Sequence, residues 1–250
     1  MTQECGMFYG IGVGPGDPEL LTRKAERLLR AVDVVCYPAC KPGASSYAFG
    51  IVKDLIDRER QTVHGLVFPM EKDFARLVPI WRESAQVIVA DLLAGKHVAF
   101  VTEGDPMLYS TFLHVYDIIA AEHPFIPVEV VPGVSSISAG AAAGCVPLAQ
   151  GDEKIAIIPA TYHVSEIRTV LEQYDTIVLM KVGSVFDQMF ALLEELHLLD
   201  QALLFSRIGN RKGFVTRDLA AYRGKRLGYL TTLLVKKETT RAWGGEDESE

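Results

Sequence analysis

Three loops rich in glycine and polar residues carry the chemistry that this sequence could perform. They read Gly10-Ile-Gly-Val-Gly-Pro-Gly16-Asp-Pro, Thr102-Glu-Gly-Asp-Pro-Met-Leu-Tyr109 and Val131-Pro-Gly-Val-Ser-Ser136. Each loop follows a short apolar run that predicts a buried strand. Because ligands of open α/β sheets bind outside the carboxyl ends of the strands, these loops indicate a ligand site at one edge of a sheet.

The first loop fits no common nucleotide motif. The G-x-G-x-x-G spacing fails in both frames, since Pro15 and Asp17 stand where the third glycine is needed, and the ending of a P-loop is missing. A nicotinamide-dependent oxidoreductase is therefore disfavoured. Each loop alone also allows an interpretation without a ligand, with Asp105 as a turn residue and Ser135 and Ser136 as helix caps.

Strands and helices alternate along most of the chain. The patterns predict strands at Met7–Gly12, Asp33–Tyr37, Leu66–Phe68, His97–Val101, Val128–Val131, Ile155–Pro159, Thr176–Met180, Leu203–Ser206 and Tyr229–Val235. They predict helices at Tyr47–Ile56, Phe74–Leu93, Val164–Leu171 and Ser184–Leu196, an earlier helix with Asp17 as its N-cap, and a small-residue helix before Ala149. Such alternation is typical of α/β proteins with mostly parallel sheets.

The chain is long enough for two domains, and we predict two α/β domains. Two prolines bracket the connector Pro124–Pro127, which places the domains at residues 1–125 and 126–238. Residues 239–250 are predicted to form a disordered acidic tail. A TIM barrel is disfavoured, because the spacing of the elements becomes irregular after Gly209.

Composition narrows the class of protein. The net charge of −7 disfavours a protein that wraps nucleic acid. The four cysteines are too scattered for a disulfide framework, and no signal-peptide pattern opens the chain, so we expect a cytoplasmic protein. A metal site at Cys36 and Cys40 is disfavoured because no second ligand pair stands nearby. The apolar stretch Val128–Ala149 contains Glu129, Pro132, Gly133 and Pro147, which disfavours a membrane span.

In order and spacing, the three loops together resemble the tetrapyrrole methylases, the S-adenosylmethionine-dependent methyltransferases that build cobalamin and sirohaem. The resemblance runs from Phe8 to about Lys237. It implies a two-domain α/β enzyme, usually a homodimer, with S-adenosylmethionine in the cleft between the domains. The residues that it assigns to the cofactor are Glu103, Gly104, Asp105, Leu108, Ser135, Ser136, Met180 and Gly209.

The resemblance also implies which residues face the tetrapyrrole. The first loop would border it through Gly14, Pro15 and Gly16, and Tyr37, Tyr109 and Arg207 are further candidates. Because the substrate carries many carboxylates, the basic residues Arg207, Arg211, Lys212 and Arg217 could bind it, although a solvated surface run is the alternative. Any cobalt would arrive in the substrate, and we expect no metal bound by the protein itself, no nucleic acid and no membrane partner.

Short strings refine the resemblance within the family. Tyr37-Pro38, Gly43-Ala-Ser-Ser-Tyr-Ala and Gly104-Asp-Pro-Met-Leu-Tyr look most like the members that methylate carbon 20 of precorrin-2 or cobalt-factor II. Uroporphyrinogen methyltransferases place an aspartate, proposed as proton acceptor, where this chain has Pro38, which argues against the sirohaem branch. A methylase of another ring carbon, a methylase of the diphthamide precursor and a non-catalytic carrier are the alternatives.

Methyl transfer from a sulfonium needs an in-line approach and no protein nucleophile, so positioning is expected to dominate catalysis. A proton must leave the methylated carbon. The candidate acceptors of this proton are Tyr37, Tyr109 and Glu71, and the sequence does not decide among them. We therefore assign no catalytic residue from the sequence.

Overall fold

A computed structural model describes residues 5–69, 71, 73–160 and 163–237 of the protein. The chain divides into two compact units after Ser136. The predicted acidic tail, residues 239–250, lies outside the described residues. None of the helices in the described ranges combines the length and the apolar character that a bilayer span requires.

The first unit is built on a five-stranded sheet in which every pairing is parallel. Its strands are β1 (Phe8–Gly12), β2 (Val34–Ala39), β3 (Thr62–Val67), β4 (Val98–Thr102) and β5 (Val128–Val131), in the order β3-β2-β4-β1-β5. The helices are α1 (Arg23–Ala31), α2 (Tyr47–Val52), α3 (Phe74–Leu93) and α4 (Phe112–Glu122). All of β4 is buried, as expected for a central strand covered on both faces.

Two apolar clusters cover the two faces of this sheet. One packs α3 and α4 on the side of Phe8 and Phe100, and the other packs α1 and α2 on the side of Ile11 and Val101. The helix α4 is absent from the sequence prediction, although Phe112, Val115 and Ile119 follow helical spacing and are buried. The predicted bounds of α3 and β5 agree with the structure.

The first helix begins later than predicted. Asp17 accepts a hydrogen bond from the backbone N–H of Glu19 at 2.9 Å and opens only the short 3-10 turn Pro18–Leu20. The N-cap of α1 is Thr22, whose hydroxyl accepts from the N–H of Ala25 at 3.1 Å. The prediction of Asp17 as N-cap of the α-helix is wrong because extended backbone at Leu21 separates the two elements.

The predicted domain boundary after residue 125 is also wrong. β5 pairs with β1 in parallel register, with Phe8 opposite Val128, so it belongs to the first sheet. The prolines at 124 and 127 therefore flank the connection from α4 to β5 and not a domain linker. The apolar stretch Val128–Ala149 contains a strand, a loop and a helix, as predicted.

The second unit contains a mixed sheet. Its strands are β6 (Ile155–Pro159), β7 (Thr176–Met180), β8 (Ala202–Ser206), β9 (Phe214–Thr216) and β10 (Thr231–Lys236), in the order β6-β7-β10-β8-β9. The helices are α5 (Ser136–Ala143), which starts at the division between the units, α6 (Val164–Gln173) and α7 (Phe186–Glu195). The small residues of α5 allow close packing, since a Cβ at Gly140 would lie 2.4 Å from the ring of Phe205.

The expectation of mostly parallel sheets is confirmed, since five of the eight described strand pairings are parallel, but the sheet of the second unit is mixed. Only β6 and β7 pair in parallel there, whereas β10 runs antiparallel to β7 and β8, and β9 runs antiparallel to β8. A parallel pairing requires a crossover of a dozen or more residues, usually a helix. The segment between β8 and β9 is too short for one, so the chain turns back.

Candidate active site

The three glycine loops follow three neighbouring strands of the first sheet. β4, β1 and β5 are adjacent and parallel, so their carboxyl ends lie at the same edge. This is the edge at which open α/β sheets bind ligands. The arrangement confirms the prediction that the loops meet at one edge.

The first and second loops are joined by backbone hydrogen bonds. Gly14 and Gly104 form an antiparallel bridge in which the N–H of Gly104 donates to the carbonyl of Gly14 at 2.8 Å. Both glycines have left-handed backbones, with φ of 77° and 66°. The N–H of Val13 also donates to the carbonyl of Thr102 at 2.9 Å, so the two loops leave the sheet as a pair.

Glycines let the three loop backbones touch. A Cβ at Gly12 would lie 2.6 Å from the carbonyl oxygen of Gly104 and 2.6 Å from the nitrogen of Gly133. A Cβ at Gly133 would lie 2.2 Å from the same carbonyl oxygen. At these two positions the missing side chain makes room for another loop and not for a ligand.

Gly104 differs from these two glycines. A Cβ placed on it would find its nearest atoms 3.9 Å away, at Ser135 and Ser136. Its left-handed backbone nevertheless disfavours any side chain. A Cβ at Gly104 would thus be in ordinary van der Waals contact with the two serines and would displace nothing, so a ligand atom could take this place beside the backbone.

Asp105 ties the second loop to the third. Its Oδ1 accepts from the N–H of Met107 at 2.9 Å, and its Oδ2 accepts from the N–H of Gly133 at 3.1 Å. The first contact is the one expected of a turn residue, which the sequence analysis allows. The second contact joins the loop after β4 to the loop after β5. Glu103, Leu108, Ser135 and Ser136, the other cofactor candidates of these two loops, are half-buried.

The helix α2 positions two of the residues expected to face the substrate. The hydroxyl of Tyr47 at its start donates to the carbonyl of Pro15 at 3.0 Å, and Phe49 stacks on Tyr37 with 4.5 Å between ring centroids. A Cβ at Gly65 would lie 2.9 Å from the hydroxyl oxygen of Tyr37, so the ring of Tyr37 packs directly on the backbone of β3. The sequence analysis quotes Tyr47 only as part of a short string and assigns a site role to neither Tyr47 nor Phe49, because their partners lie elsewhere in the chain.

The remaining substrate candidates of the first unit differ in exposure. Gly14, Pro15 and Gly16 are buried within the loop, whereas Tyr109 is 45% exposed on a left-handed backbone with φ of 50°. Glu71, the third candidate proton acceptor, is exposed.

The second unit carries its site candidates at the ends of two strands. Met180 ends β7 and is half-buried, whereas Arg207 follows β8 directly and Gly209 lies two residues further, both exposed. Both strands are antiparallel to β10, so their carboxyl ends share one edge of this sheet. Arg207 and Gly209 have positive φ, 50° and 80°. Lys181, to which the sequence analysis assigns no role, adjoins Met180 with φ of 61°.

Cys36 and Cys40, the two cysteines considered for a metal site, differ in solvent exposure. Cys36 is buried in β2, and this burial, with a smaller contribution from the charge of Asp91, raises the pKa of its thiol well above its usual range. A neutral thiol is a poor metal ligand. Cys40 is exposed. Among the described residues, no three His, Cys, Asp or Glu side chains gather in a metal-binding group.

The sequence matches the family described as Tetrapyrrole (Corrin/Porphyrin) Methylases over residues 7–221. The chain belongs to this family. It is 37% identical to the cobalt-precorrin-2 C(20)-methyltransferase of Salmonella typhimurium, with 93% of this chain and 97% of the relative covered. It is 32% identical to the precorrin-2 C(20)-methyltransferase of a Sinorhizobium species, with 92% and 95% covered.

Solved structures agree on the fold. A cobalt precorrin-4 methyltransferase of cobalamin biosynthesis aligns with a TM-score of 0.68 at 20% identity, covering 92% of this chain and 94% of that one. A uroporphyrin-III C-methyltransferase from Thermus thermophilus, complexed with S-adenosylhomocysteine, aligns with a TM-score of 0.65 at 21% identity, covering 92% of both chains.

Proposed function

We propose that this protein transfers a methyl group from S-adenosylmethionine to carbon 20 of precorrin-2 or cobalt-factor II in cobalamin biosynthesis. The observation that carries the proposal is similarity over nearly the whole chain to two relatives that are both named as C(20)-methyltransferases. The Pro38 position supports it, because the members that act on uroporphyrinogen have an aspartate there.

The first unit has a backbone that fits the cofactor. The place of the missing Gly104 side chain, with Ser135 and Ser136 at contact distance, is a cradle that a Cβ would fill. Asp105 would accept a hydrogen bond from the cofactor, since an ionised carboxylate offers about four lone-pair sites and two backbone donors use only part of them. Glu103 and Leu108 would line the same loop, and we extend the proposal to Met180 and Gly209 in the second unit.

When bound, S-adenosylmethionine supplies a methyl group already activated by its sulfonium leaving group. The task left to the chain is positioning, which can contribute roughly 7–11 kcal/mol at best. The hydrogen bonds between the loops fix the cradle before any ligand arrives. On the substrate side, we propose that the macrocycle contacts Gly14, Pro15, Gly16, Tyr37 and Tyr109 of the first unit and Arg207 of the second.

We further propose that the enzyme is a cytoplasmic homodimer that holds no metal of its own and binds neither nucleic acid nor membrane. The net charge of −7 supports the absence of a nucleic-acid partner, because phosphate binding needs a basic surface. Analytical ultracentrifugation and elemental analysis of the purified protein test the dimer and the metal content.

An acceptor assay tests the proposed function. The protein is incubated anaerobically with methyl-labelled S-adenosylmethionine in three parallel reactions, which contain precorrin-2, cobalt-factor II or uroporphyrinogen III. The masses of the products are measured by mass spectrometry. We expect one added methyl group on precorrin-2 or cobalt-factor II and none on uroporphyrinogen III. Binding of either tetrapyrrole without transfer would favour a carrier, and transfer to uroporphyrinogen III would favour the sirohaem branch.

A further inference from the structure

Two cationic residues stand at the carboxyl ends of two strands in the second unit. Lys181 follows β7 and Arg207 follows β8, and both have left-handed backbones. β10 lies between these strands, so the two ends are separated by roughly 10 Å, twice the spacing of neighbouring strands. Such backbones are costly outside glycine and concentrate at ligand sites.

Glycine contacts fix the backbone at both positions. A Cβ at Gly183, in the turn that follows Lys181, would lie 2.3 Å from the carbonyl oxygen of Gly228. A Cβ at Gly213 would lie 2.2 Å from the carbonyl oxygen of Arg207. Neither turn can shift without moving another backbone segment, so the starting points of the two cationic side chains are fixed.

The two side chains flank the same short segment. The Nζ of Lys181 lies 5.3 Å from the centroid of the Tyr229 ring, and that ring is 49% exposed. The guanidinium of Arg207 lies 3.9 Å from the Cβ position of Gly228. Arg207 makes no ion pair within the part of the chain that the structure describes.

Positive charge is concentrated around this segment. Residues 207–229 contain seven lysines and arginines and a single carboxylate, Asp218, in a chain whose net charge is −7. Two of the other cations lie over separate rings, Arg223 over Phe190 and Lys225 over Tyr222. An anionic ligand near Arg207 would therefore meet a predominantly positive stretch of the chain.

We propose that Lys181 and Arg207 bind two carboxylates of the tetrapyrrole, one through a compact ammonium and the other through a bidentate guanidinium. The inference rests on the proposed function and adds Lys181 to its substrate-binding residues. Uroporphyrinogen-derived rings carry neighbouring acetate and propionate chains, which suit two cations at a fixed separation. The other source of a carboxylate is the cofactor's methionine moiety, since Met180 adjoins Lys181.

The test compares Lys181→Met and Arg207→Gln with two matched controls. In Lys225→Met, the ammonium that is removed also lies 5.3 Å from a tyrosine ring, that of Tyr222, but Lys225 directly follows neither β7 nor β8. Arg223→Gln removes a guanidinium that lies 5.1 Å from the ring of Phe190. Charge-assisted hydrogen bonds predict a rise in KM for the tetrapyrrole of about tenfold or more in each test variant, with kcat within about twofold of the parent. Both controls should keep the parental KM, and Lys181→Arg should recover most of the loss.

Two binding measurements make the test independent of turnover. Fluorescence titration with uroporphyrin, a stable octacarboxylate, should show weaker binding by Lys181→Met and Arg207→Gln, whereas calorimetric titration with S-adenosylhomocysteine should give the parental Kd. Unchanged KM and uroporphyrin affinity would overturn the inference, and so would a loss confined to S-adenosylhomocysteine. If the parent protein binds uroporphyrin but methylates no acceptor, weaker binding by these variants would uphold the carboxylate site while the proposed function fails.

Discussion

Asp105 is the side chain on which the geometry of the first unit's site depends most directly. One carboxylate oxygen holds the turn of its own loop at Met107, and the other reaches the backbone of the third loop at Gly133. Removal of the carboxylate would leave the N–H of Gly133 without this acceptor in a half-buried position. The same residue is therefore expected to serve both stability and cofactor binding.

Asp105→Ala should lower the free energy of unfolding and weaken cofactor binding. Charge-assisted hydrogen bonds contribute about 1.5–3 kcal/mol each when buried, and partial exposure here reduces the expected total loss to roughly 1–2 kcal/mol. Urea denaturation measures the stability, and calorimetric titration with S-adenosylhomocysteine measures the binding.

Asp73→Ala is the matched control for this substitution. Asp73 also accepts from a backbone N–H, that of Ala75 at 3.0 Å, but it caps α3 and lies in none of the three loops. Its loss should cost about 1 kcal/mol of stability and leave the affinity for S-adenosylhomocysteine unchanged. Parental affinity in Asp105→Ala would remove Asp105 from the proposed cofactor site.

The loops work as one interlocked element. Gly12, Gly104 and Gly133 bring three backbones together at the edge of the sheet, and α2 supports the first loop through Tyr47. The cradle at Gly104 keeps its shape because the neighbouring loops have no room to move inward. Rigid positioning of this kind is what methyl transfer requires of the chain.

Three glycine-to-alanine substitutions distinguish the effects of a steric clash, of a strained backbone and of an unobstructed side chain on the free energy of unfolding. Gly133→Ala places a Cβ 2.2 Å from a backbone oxygen that cannot yield, so we expect a loss of about 3 kcal/mol or more. Gly104→Ala has room but a left-handed backbone, which costs about 1–2 kcal/mol and should weaken S-adenosylhomocysteine binding. Gly50→Ala, in α2 with no atom within 4 Å of its Cβ, should gain about 0.5–1 kcal/mol.

Urea denaturation gives the order of stability for these variants. If Gly133→Ala is as stable as the parent, the loops are not interlocked as described. Parental S-adenosylhomocysteine affinity in Gly104→Ala would mean that the cofactor does not occupy the place of the missing side chain at this glycine.

The sequence predicts where the loops lie in the fold, but it does not predict what each of their glycines makes room for. β1, β4 and β5 are short apolar runs that precede glycine, so the strand ends follow from local pattern. Whether a glycine makes room for a ligand or for another backbone depends on contacts such as Gly12 with Gly104 and Gly133. Those contacts join positions far apart in the chain, and local pattern does not contain them.

The two units are built on different sheets, and only part of this follows from the sequence. The first unit alternates strands and helices regularly, which predicts its parallel order. In the second unit the direction of β10 depends on the segment after β8, which lacks helical periodicity and turns back through β9. Arg207 belongs to this segment, so its surroundings were also beyond the sequence pattern.

Cofactor binding should stabilise the whole protein. A ligand that binds only the folded state stabilises it by about 2.7 kcal/mol at a hundred times its Kd, which corresponds to a Tm increase of roughly 5–10 °C for a chain of this length. Thermal denaturation with and without S-adenosylhomocysteine measures the shift. Adenosine and free methionine at the same concentrations serve as controls and should give much smaller shifts.

The position of the transferred methyl group tests the central claim most directly. The purified protein is incubated anaerobically with S-adenosylmethionine labelled with carbon-13 in its methyl group and with precorrin-2 or cobalt-factor II, and the product is analysed by carbon NMR. The proposed function predicts a single labelled methyl group attached to carbon 20. A label at any other ring carbon, or an unlabelled tetrapyrrole recovered from a protein that binds S-adenosylhomocysteine, would contradict it.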